Sequence, residues 1–311
     1  MSVAVLSVAL GSATLMGMAI QRGATCMVAA VDEAVSDRRV GRAVALAEAA
    51  IWVGGLVALI ELLGLLHVDR TPVGVTWLTF VGGVLLGLGA WINRACVFGA
   101  VARIGSGQWA WLATPVGFFI GCLVSVTQPA PVEPSAWSAF QASGIALLFV
   151  LLFLWRAAET CRAPDALAHW WEPHRATLLI AVTFVATLLT AGMWAYTDAL
   201  AALAQSMAGS DPRLGLRGAM VLALLGGAVL GGHLAGKLRS ERPRLAVVVR
   251  CLIGGAMMGI GAGLVPGSND GLIMLGLPLM LPHAWAAVVT MAATIALAIG
   301  LSQVLARAEH A

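Results

Sequence analysis

The chain has 311 residues, of which 60% are hydrophobic and only 11% carry a charged side chain. Soluble domains carry roughly 25% charged residues, so the composition excludes an ordinary soluble enzyme and a disordered chain. A net charge of +3 is also too small for a nucleic-acid binder. A chain with so few charged residues exposes an apolar surface, which is stable only against the hydrocarbon core of a bilayer. We therefore predict an all-α polytopic membrane protein.

Apolar stretches long enough to cross a membrane, about 20 residues each, recur along the whole chain. There are about nine of them, centred on 3–20, 43–63, 74–92, 109–127, 137–155, 176–193, 216–236, 247–264 and 284–305.

Four further apolar segments are too short to cross the bilayer. They lie at 23–35, 94–106, 195–207 and 267–281. Such segments survive at membrane depth only when they are buried in protein or line a cavity. We therefore predict four short re-entrant helices.

The distribution of Lys and Arg predicts the orientation of the chain. With the N-terminus outside, only Arg70, Arg213 and Arg217 of the 18 basic residues fall on the outer side. The opposite orientation would invert this ratio. We therefore expect an external N-terminus and a cytoplasmic C-terminus.

Glycine pairs repeat along the chain in one register. A shift of 172 residues places Gly54 on Gly226, and the same shift places Gly82 on Gly254 and Gly99 on Gly271. Five predicted crossings separate equivalent points, so the second copy enters the membrane upside down, as in many secondary transporters. We predict a first inverted repeat at 1–136, a connecting helix at 137–155, a cytoplasmic loop at 156–175 and a second inverted repeat at 176–311.

The same register aligns polar side chains at the starts of the short segments. Cys26 falls on Asp198, and Cys96 falls on Ser268. A helix that begins at such a point presents free N–H groups and about half a positive charge to an anion. Thiols suit a polarizable, sulfur-bearing ligand. The predicted substrate path contains Cys26, Cys96, Ser268, Asn269, Asn93 and Thr25.

Three motifs resemble the YeeE/YedE-type sulfur transport family, whose members include thiosulfate transporters. They are QRGATC at 21–26, GGVLLGLGAWINRACVFG at 82–99 and GGAMMGIGAGLVPGS at 254–268. The resemblance implies a bacterial inner-membrane importer with two inverted halves. It also implies that Cys26 and Cys96 pass a small sulfur-containing anion along by transient S–H···S contacts.

The second half departs from the family pattern, since Ser268 and Asp198 stand where cysteines would be expected. The expected substrate is therefore thiosulfate or a related sulfur compound. Besides this anion and the surrounding lipids, the resemblance suggests a soluble, sulfurtransferase-like partner in the cytoplasm.

Acidic residues inside membrane segments need a partner or a function, because inserting one costs roughly 2.5–3.5 kcal/mol. Glu48, Asp198 and Asp270 are therefore candidates for coupling or gating. Neither a Walker motif nor a metal-ligand pattern occurs, so we expect no cofactor, no metal and no enzymatic activity.

Two alternatives stay open at this point. The cysteines of a membrane-embedded sulfur-transfer protein would react covalently, and would label rapidly with alkylating reagents. A transporter or channel for an unrelated small solute would carry inert cysteines and would be indifferent to thiol reagents.

Overall fold

The structure is a computed structural model that describes residues 2–23, 26–65, 74–125, 139–162, 171, 173–192, 194–206, 214–265 and 267–308. Apart from one isolated bridge between Gln108 and Glu241, the regular elements in these ranges are helices. They confirm the predicted all-α class.

The helices follow one another in this order. The first half contains α1 (Val3–Gly23), α2 (Met27–Ser36), α3 (Gly41–Leu62), α4 (Trp77–Asn93), α5 (Val97–Gly105), the 3₁₀ turn Trp109–Leu112 and α6 (Ala113–Val124). Next come α7 (Ala139–Arg162), α8 (Pro173–Ala191), α9 (Tyr196–Ser206), α10 (Leu214–Leu234) and α11 (Leu245–Leu264). The last are α12 (Asn269–Gly271), its π-helical continuation Leu272–Gly276, and α13 (Pro282–Ala308).

Seven helical segments in the described ranges are long and apolar enough to span a membrane. They are Val3–Ser36, Gly41–Leu62, Trp77–Gly105, Arg175–Ser206, Gly215–Leu234, Leu245–Leu264 and Pro282–Ala308. The chain is thus a polytopic membrane protein. The predicted span at 109–127 appears as the shorter apolar helix Trp109–Val124, which falls below the roughly 20 residues a crossing requires. The described part of the predicted span at 137–155 lies on α7, which begins at Ala139, and the total of nine spans stays a prediction.

Short helices occupy each of the four segments predicted to be re-entrant. The backbone breaks before three of them are extended, at Cys26 (φ −152°, ψ 127°), Cys96 (φ −72°, ψ 178°) and Ser268 (φ −86°, ψ 164°). Arg94 ends α4 in the left-handed region, with φ 60°, and this turns the chain away from the helix axis. The re-entrant path of these helices through the bilayer stays a prediction.

The main contacts between the predicted halves follow the 172-residue shift: when two helices are in contact, their counterparts in the other half are in contact too. This shift carries α1, α3, α4 and α6 onto α8, α10, α11 and α13. Accordingly, α1 packs against α10 while α3 packs against α8, and α6 packs against α11 while α4 packs against α13. The pairs α1–α8 and α4–α11, which map onto themselves, are also in contact. This pattern supports two related halves, whose boundaries stay predictions.

Glycines allow the central helices to touch backbone to backbone. A Cβ atom on Gly89 would lie 2.7 Å from the carbonyl oxygen of Gly254, and a Cβ on Gly254 would lie 2.6 Å from that of Gly89. The contact joins α4 to α11, the two helices that immediately precede the short helices at Cys96 and Ser268. Close packing through small residues is the usual means of association for membrane helices.

Candidate functional site

Two short helices, α2 and α5, begin side by side at Cys26 and Cys96. The Cys96 thiol donates a hydrogen bond to the Cys26 sulfur, with an Sγ–Sγ distance of 3.5 Å. The Met27 backbone N–H donates to the Cys96 sulfur at 3.3 Å. Both cysteines are free thiols. The two cysteines singled out by the sequence therefore form one thiol pair, although 70 positions separate them.

The two thiols differ in accessibility and in hydrogen bonding. Cys26 is 8% exposed and Cys96 is 1% exposed. Because Cys26 accepts the bond from Cys96, its own S–H proton is available to a ligand. Gly99 leaves no spare space behind this thiol, since a Cβ there would lie 2.6 Å from the Cys26 sulfur.

Asn93 holds the turn that leads to the thiol pair. It is fully buried, its Nδ2 donates to the carbonyl oxygen of Ala95 at 2.8 Å, and its Oδ1 accepts from the Thr114 hydroxyl at 3.1 Å. Both ends of the amide are thus used within the protein. The structure places Asn93 as a brace for the turn that leads into Cys96.

The second half repeats this arrangement with oxygen in place of sulfur. The Ser268 hydroxyl donates to Asp198 Oδ1, and the Ser268 backbone N–H donates to the same oxygen at 3.3 Å. Behind the carboxylate, a Cβ on Gly271 would lie 2.5 Å from Asp198 Oδ2. The trio Asp198, Ser268 and Gly271 therefore corresponds to Cys26, Cys96 and Gly99, as the 172-residue register predicts.

Asp270 extends the second cluster into a buried polar network. Its Oδ1 lies 2.8 Å from the Ser268 hydroxyl and also accepts from the Thr197 hydroxyl, while its Oδ2 accepts from the Thr197 N–H at 3.1 Å. Ser268 has one hydroxyl proton, yet its oxygen contacts both Asp198 and Asp270. That proton serves only one carboxylate at a time, so the geometry leaves room for a proton on one of the carboxyl groups.

Two polar residues next to this network carry buried atoms without a hydrogen-bond partner in the described part of the chain. Both amide atoms of Asn269 are buried without a hydrogen-bond partner among the described residues, and the same is true of the Tyr196 hydroxyl. A buried polar atom without a partner costs about 1–3 kcal/mol, which favours a ligand contact at this point. Asn269 was predicted from the sequence, whereas Tyr196 was missed, although it is the single tyrosine of the chain.

Two predicted site residues have other outcomes. Glu48 is buried and accepts a hydrogen bond of 2.9 Å from Nε of Arg156, so an ion pair joins α3 to α7. Thr25 lies outside the described residues. Among those residues, no group of three or more His, Cys, Asp and Glu side chains is arranged to hold a metal ion.

The chain resembles known proteins over most of its length. The model of a family described as Sulphur transport matches residues 22–297, a range that contains both clusters. The thiosulfate transporter TsuA of Spirochaeta thermophila is 26% identical to this chain over an alignment 306 residues long. The alignment covers 88% of this chain and 92% of the relative.

Proposed function

Because the chain belongs to the sulphur transport family, we propose that it imports thiosulfate or a related sulfur anion across the bacterial inner membrane. The observation that carries this proposal is the Cys26–Cys96 thiol pair. The Cys96 thiol donates to Cys26, and the S–H group of Cys26 is then free to donate to a ligand. The similarity to a thiosulfate transporter supports the choice of substrate.

The thiol pair suits a sulfur anion that must bind and then leave. The S–H group is a weak donor, so contact with a polarizable terminal sulfur is favourable without holding the anion tightly. The N-termini of α2 and α5 add partial positive charge beside the thiols. A sulfur anion therefore moves through the site by exchanging one weak hydrogen bond for another.

The oxygen-based cluster provides neighbouring contacts on the same path. Helix α12, which begins after Ser268, contacts α5, which begins after Cys96. Asn269 brings two amide donors with no internal partner among the described residues. We assign these donors to the oxyanion end of the substrate, and the thiols to its sulfur end.

Two contacts at helix ends support the proposed orientation, with an external N-terminus and a cytoplasmic C-terminus. The Arg22 guanidinium lies 4.1 Å from the ring centroid of Trp171, and Gln303 donates to the Ser36 hydroxyl at 2.9 Å. Each contact joins two segments that the positive-inside rule assigns to the inner face. A soluble, sulfurtransferase-like acceptor at this face completes the proposal.

Uptake of radiolabelled thiosulfate into proteoliposomes tests this function. We expect saturable uptake that unlabelled anions with a terminal sulfur inhibit, and no uptake in liposomes without the protein. Sulfate, phosphate and chloride serve as competitors that lack a terminal sulfur. Equal transport of solutes without sulfur, unaffected by thiol reagents, would instead favour the unrelated-solute transporter.

We further propose that Asp198 and Asp270 couple import to protons. A dianion that approaches two carboxylates is repelled unless protons neutralise them, and a carboxyl proton would also satisfy the second contact of the Ser268 hydroxyl oxygen. Uptake should therefore rise when the outside is acidified. A one-unit pH gradient multiplies accumulation about tenfold for each coupled proton, since one pH unit corresponds to about 1.4 kcal/mol.

Replacing Asp198 by asparagine should remove most of this pH stimulation, because an amide is neutral at every pH. Uptake by D198N is compared with and without a pH gradient while valinomycin and K⁺ clamp the membrane potential. D32N is the matched control, since Asp32 is an exposed aspartate that accepts from the nearby Ser36 hydroxyl. Full pH stimulation in D198N would contradict the coupling role.

A further inference from the structure

A pocket of about 560 Å³ opens away from both clusters, between two loops of the bundle. One loop connects α5 to α6 and the other connects α10 to α11. Its wall carries four arginines, one glutamate and two tryptophans. The charged residues are Arg103, Arg242, Arg244, Arg250 and Glu241.

The two loops hold each other in place. The Arg239 N–H donates to the carbonyl oxygen of Ser106 and the Glu241 N–H donates to that of Gly107, both at 3.0 Å. Gly107 has φ +88°, and a Cβ there would lie 2.4 Å from the Arg239 carbonyl oxygen. The indole N–H of Trp109 also donates to the Ser240 hydroxyl at 2.8 Å. The pocket is therefore organised before any ligand arrives.

Four arginines outnumber the single glutamate of the pocket wall, so the wall keeps an excess of positive charge. None of its four arginines forms an ion pair with a described residue, and Nε of Arg250 is buried without a hydrogen-bond partner in the same part of the chain. The buried Trp111 ring orients two of them, since the guanidinium carbons of Arg103 and Arg250 lie 4.5 and 5.5 Å from its centroid. Oriented guanidinium groups with free N–H donors are well suited to an oxyanion.

Helix α5 connects this pocket to the thiol pair. The helix begins after Cys96, which is 1% exposed, and reaches the exposed Arg103 seven residues later. At 1.5 Å per residue, the separation along the helix axis is about 10 Å. An anion that leaves the thiols along α5 therefore meets the arginines where the bundle opens to solvent.

We propose that this arginine pocket binds a divalent oxyanion and is the exit station for the transported anion on the cytoplasmic side. The exit role rests on the proposed function. The positive-inside rule alone accounts for arginines at this end of the bundle, but not for a preformed cavity or for a buried, unpartnered Nε. A phospholipid headgroup offers the same oxyanion chemistry, so the test must separate the two sources.

Isothermal titration of purified protein in dodecyl maltoside tests the pocket without transport. The titrants are sodium thiosulfate and dioctanoyl phosphatidylglycerol, with sodium chloride as the blank. The protein carries C26A and C96A, which removes the thiol pair and leaves the pocket intact. We expect thiosulfate to bind, and we expect R103Q/R250Q in this background to weaken binding about tenfold or more, since two charge-assisted donors are lost.

The double variant R39Q/R307Q is the matched control, since it removes two exposed inner-face charges outside the pocket and should leave binding unchanged. Equal binding before and after R103Q/R250Q would overturn the site. Binding of the lipid but not of thiosulfate would overturn the exit role. Failure of the proposed function would appear separately, as absent thiosulfate uptake by the unmodified protein.

Discussion

Replacing Cys26 by alanine should lower thiosulfate uptake by about 10- to 100-fold while the protein still folds. The change removes the acceptor for the Cys96 thiol and the S–H group that we propose as a donor to the substrate. A hydrogen bond to a charged partner contributes about 1.5–3 kcal/mol, and each 1.4 kcal/mol corresponds to a factor of ten. Initial rates of labelled thiosulfate uptake in proteoliposomes measure the effect.

Two further variants sharpen this result. Serine at position 26 keeps an O–H donor but loses the polarizable sulfur, so C26S should transport at an intermediate rate. Cys122 is a buried thiol that donates to the carbonyl oxygen of Gly259 at 3.6 Å, away from the thiol pair, and C122A should transport like the unmodified protein. Equal rates for C26A and C122A would remove the thiol pair from the mechanism.

Replacing Gly227 by alanine should destabilise the protein by about 3 kcal/mol or more, at the upper end of overpacking costs. The added Cβ would lie 1.9 Å from the carbonyl oxygen of Thr14, on the neighbouring helix α1. In the same contact, a Cβ on Gly17 of α1 would lie 1.8 Å from the carbonyl oxygen of Leu224 on α10, so both helices are closely packed here. Thermal unfolding in detergent, followed by size-exclusion chromatography, measures the loss.

The adjacent glycine provides the control. A Cβ on Gly226 would meet nothing within 4 Å, and alanine is the better helix former by about 1 kcal/mol. G226A should therefore unfold at the same temperature as the unmodified protein or slightly above it. Similar unfolding temperatures for G227A and G226A would show that the α1–α10 contact is not tightly packed.

The sequence was sufficient to predict the helical class and to single out Cys26 and Cys96, which the structure brings into contact. Hydrophobic runs of about 20 residues identify membrane-spanning helices. One repeat register aligned both thiols with their oxygen-bearing counterparts. The positions of the short helices also followed, because glycine, proline and polar residues interrupt otherwise continuous apolar segments.

Contacts between distant segments could not be predicted in this way. The pairing of Glu48 with Arg156 spans 108 positions, and the bridge from Gln108 to Glu241 joins two loops that share no motif. The contact of Ser268 with both Asp198 and Asp270 depends on how tightly α9 packs against α12. Such contacts depend on the three-dimensional packing of helices, to which hydropathy and spacing are insensitive.

Glycines at equivalent positions lie behind the two clusters and allow different side chains to occupy the same place. Gly99 and Gly271 set the same depth for the side chain in front of them, so a thiol in one copy and a carboxylate in the other occupy equivalent places. The two copies of the predicted repeat thus present a neutral thiol pair and an acidic, oxygen-based cluster on one scaffold. Under the proposed function, a doubly charged substrate would meet these two chemistries in a fixed order within a nearly symmetric frame.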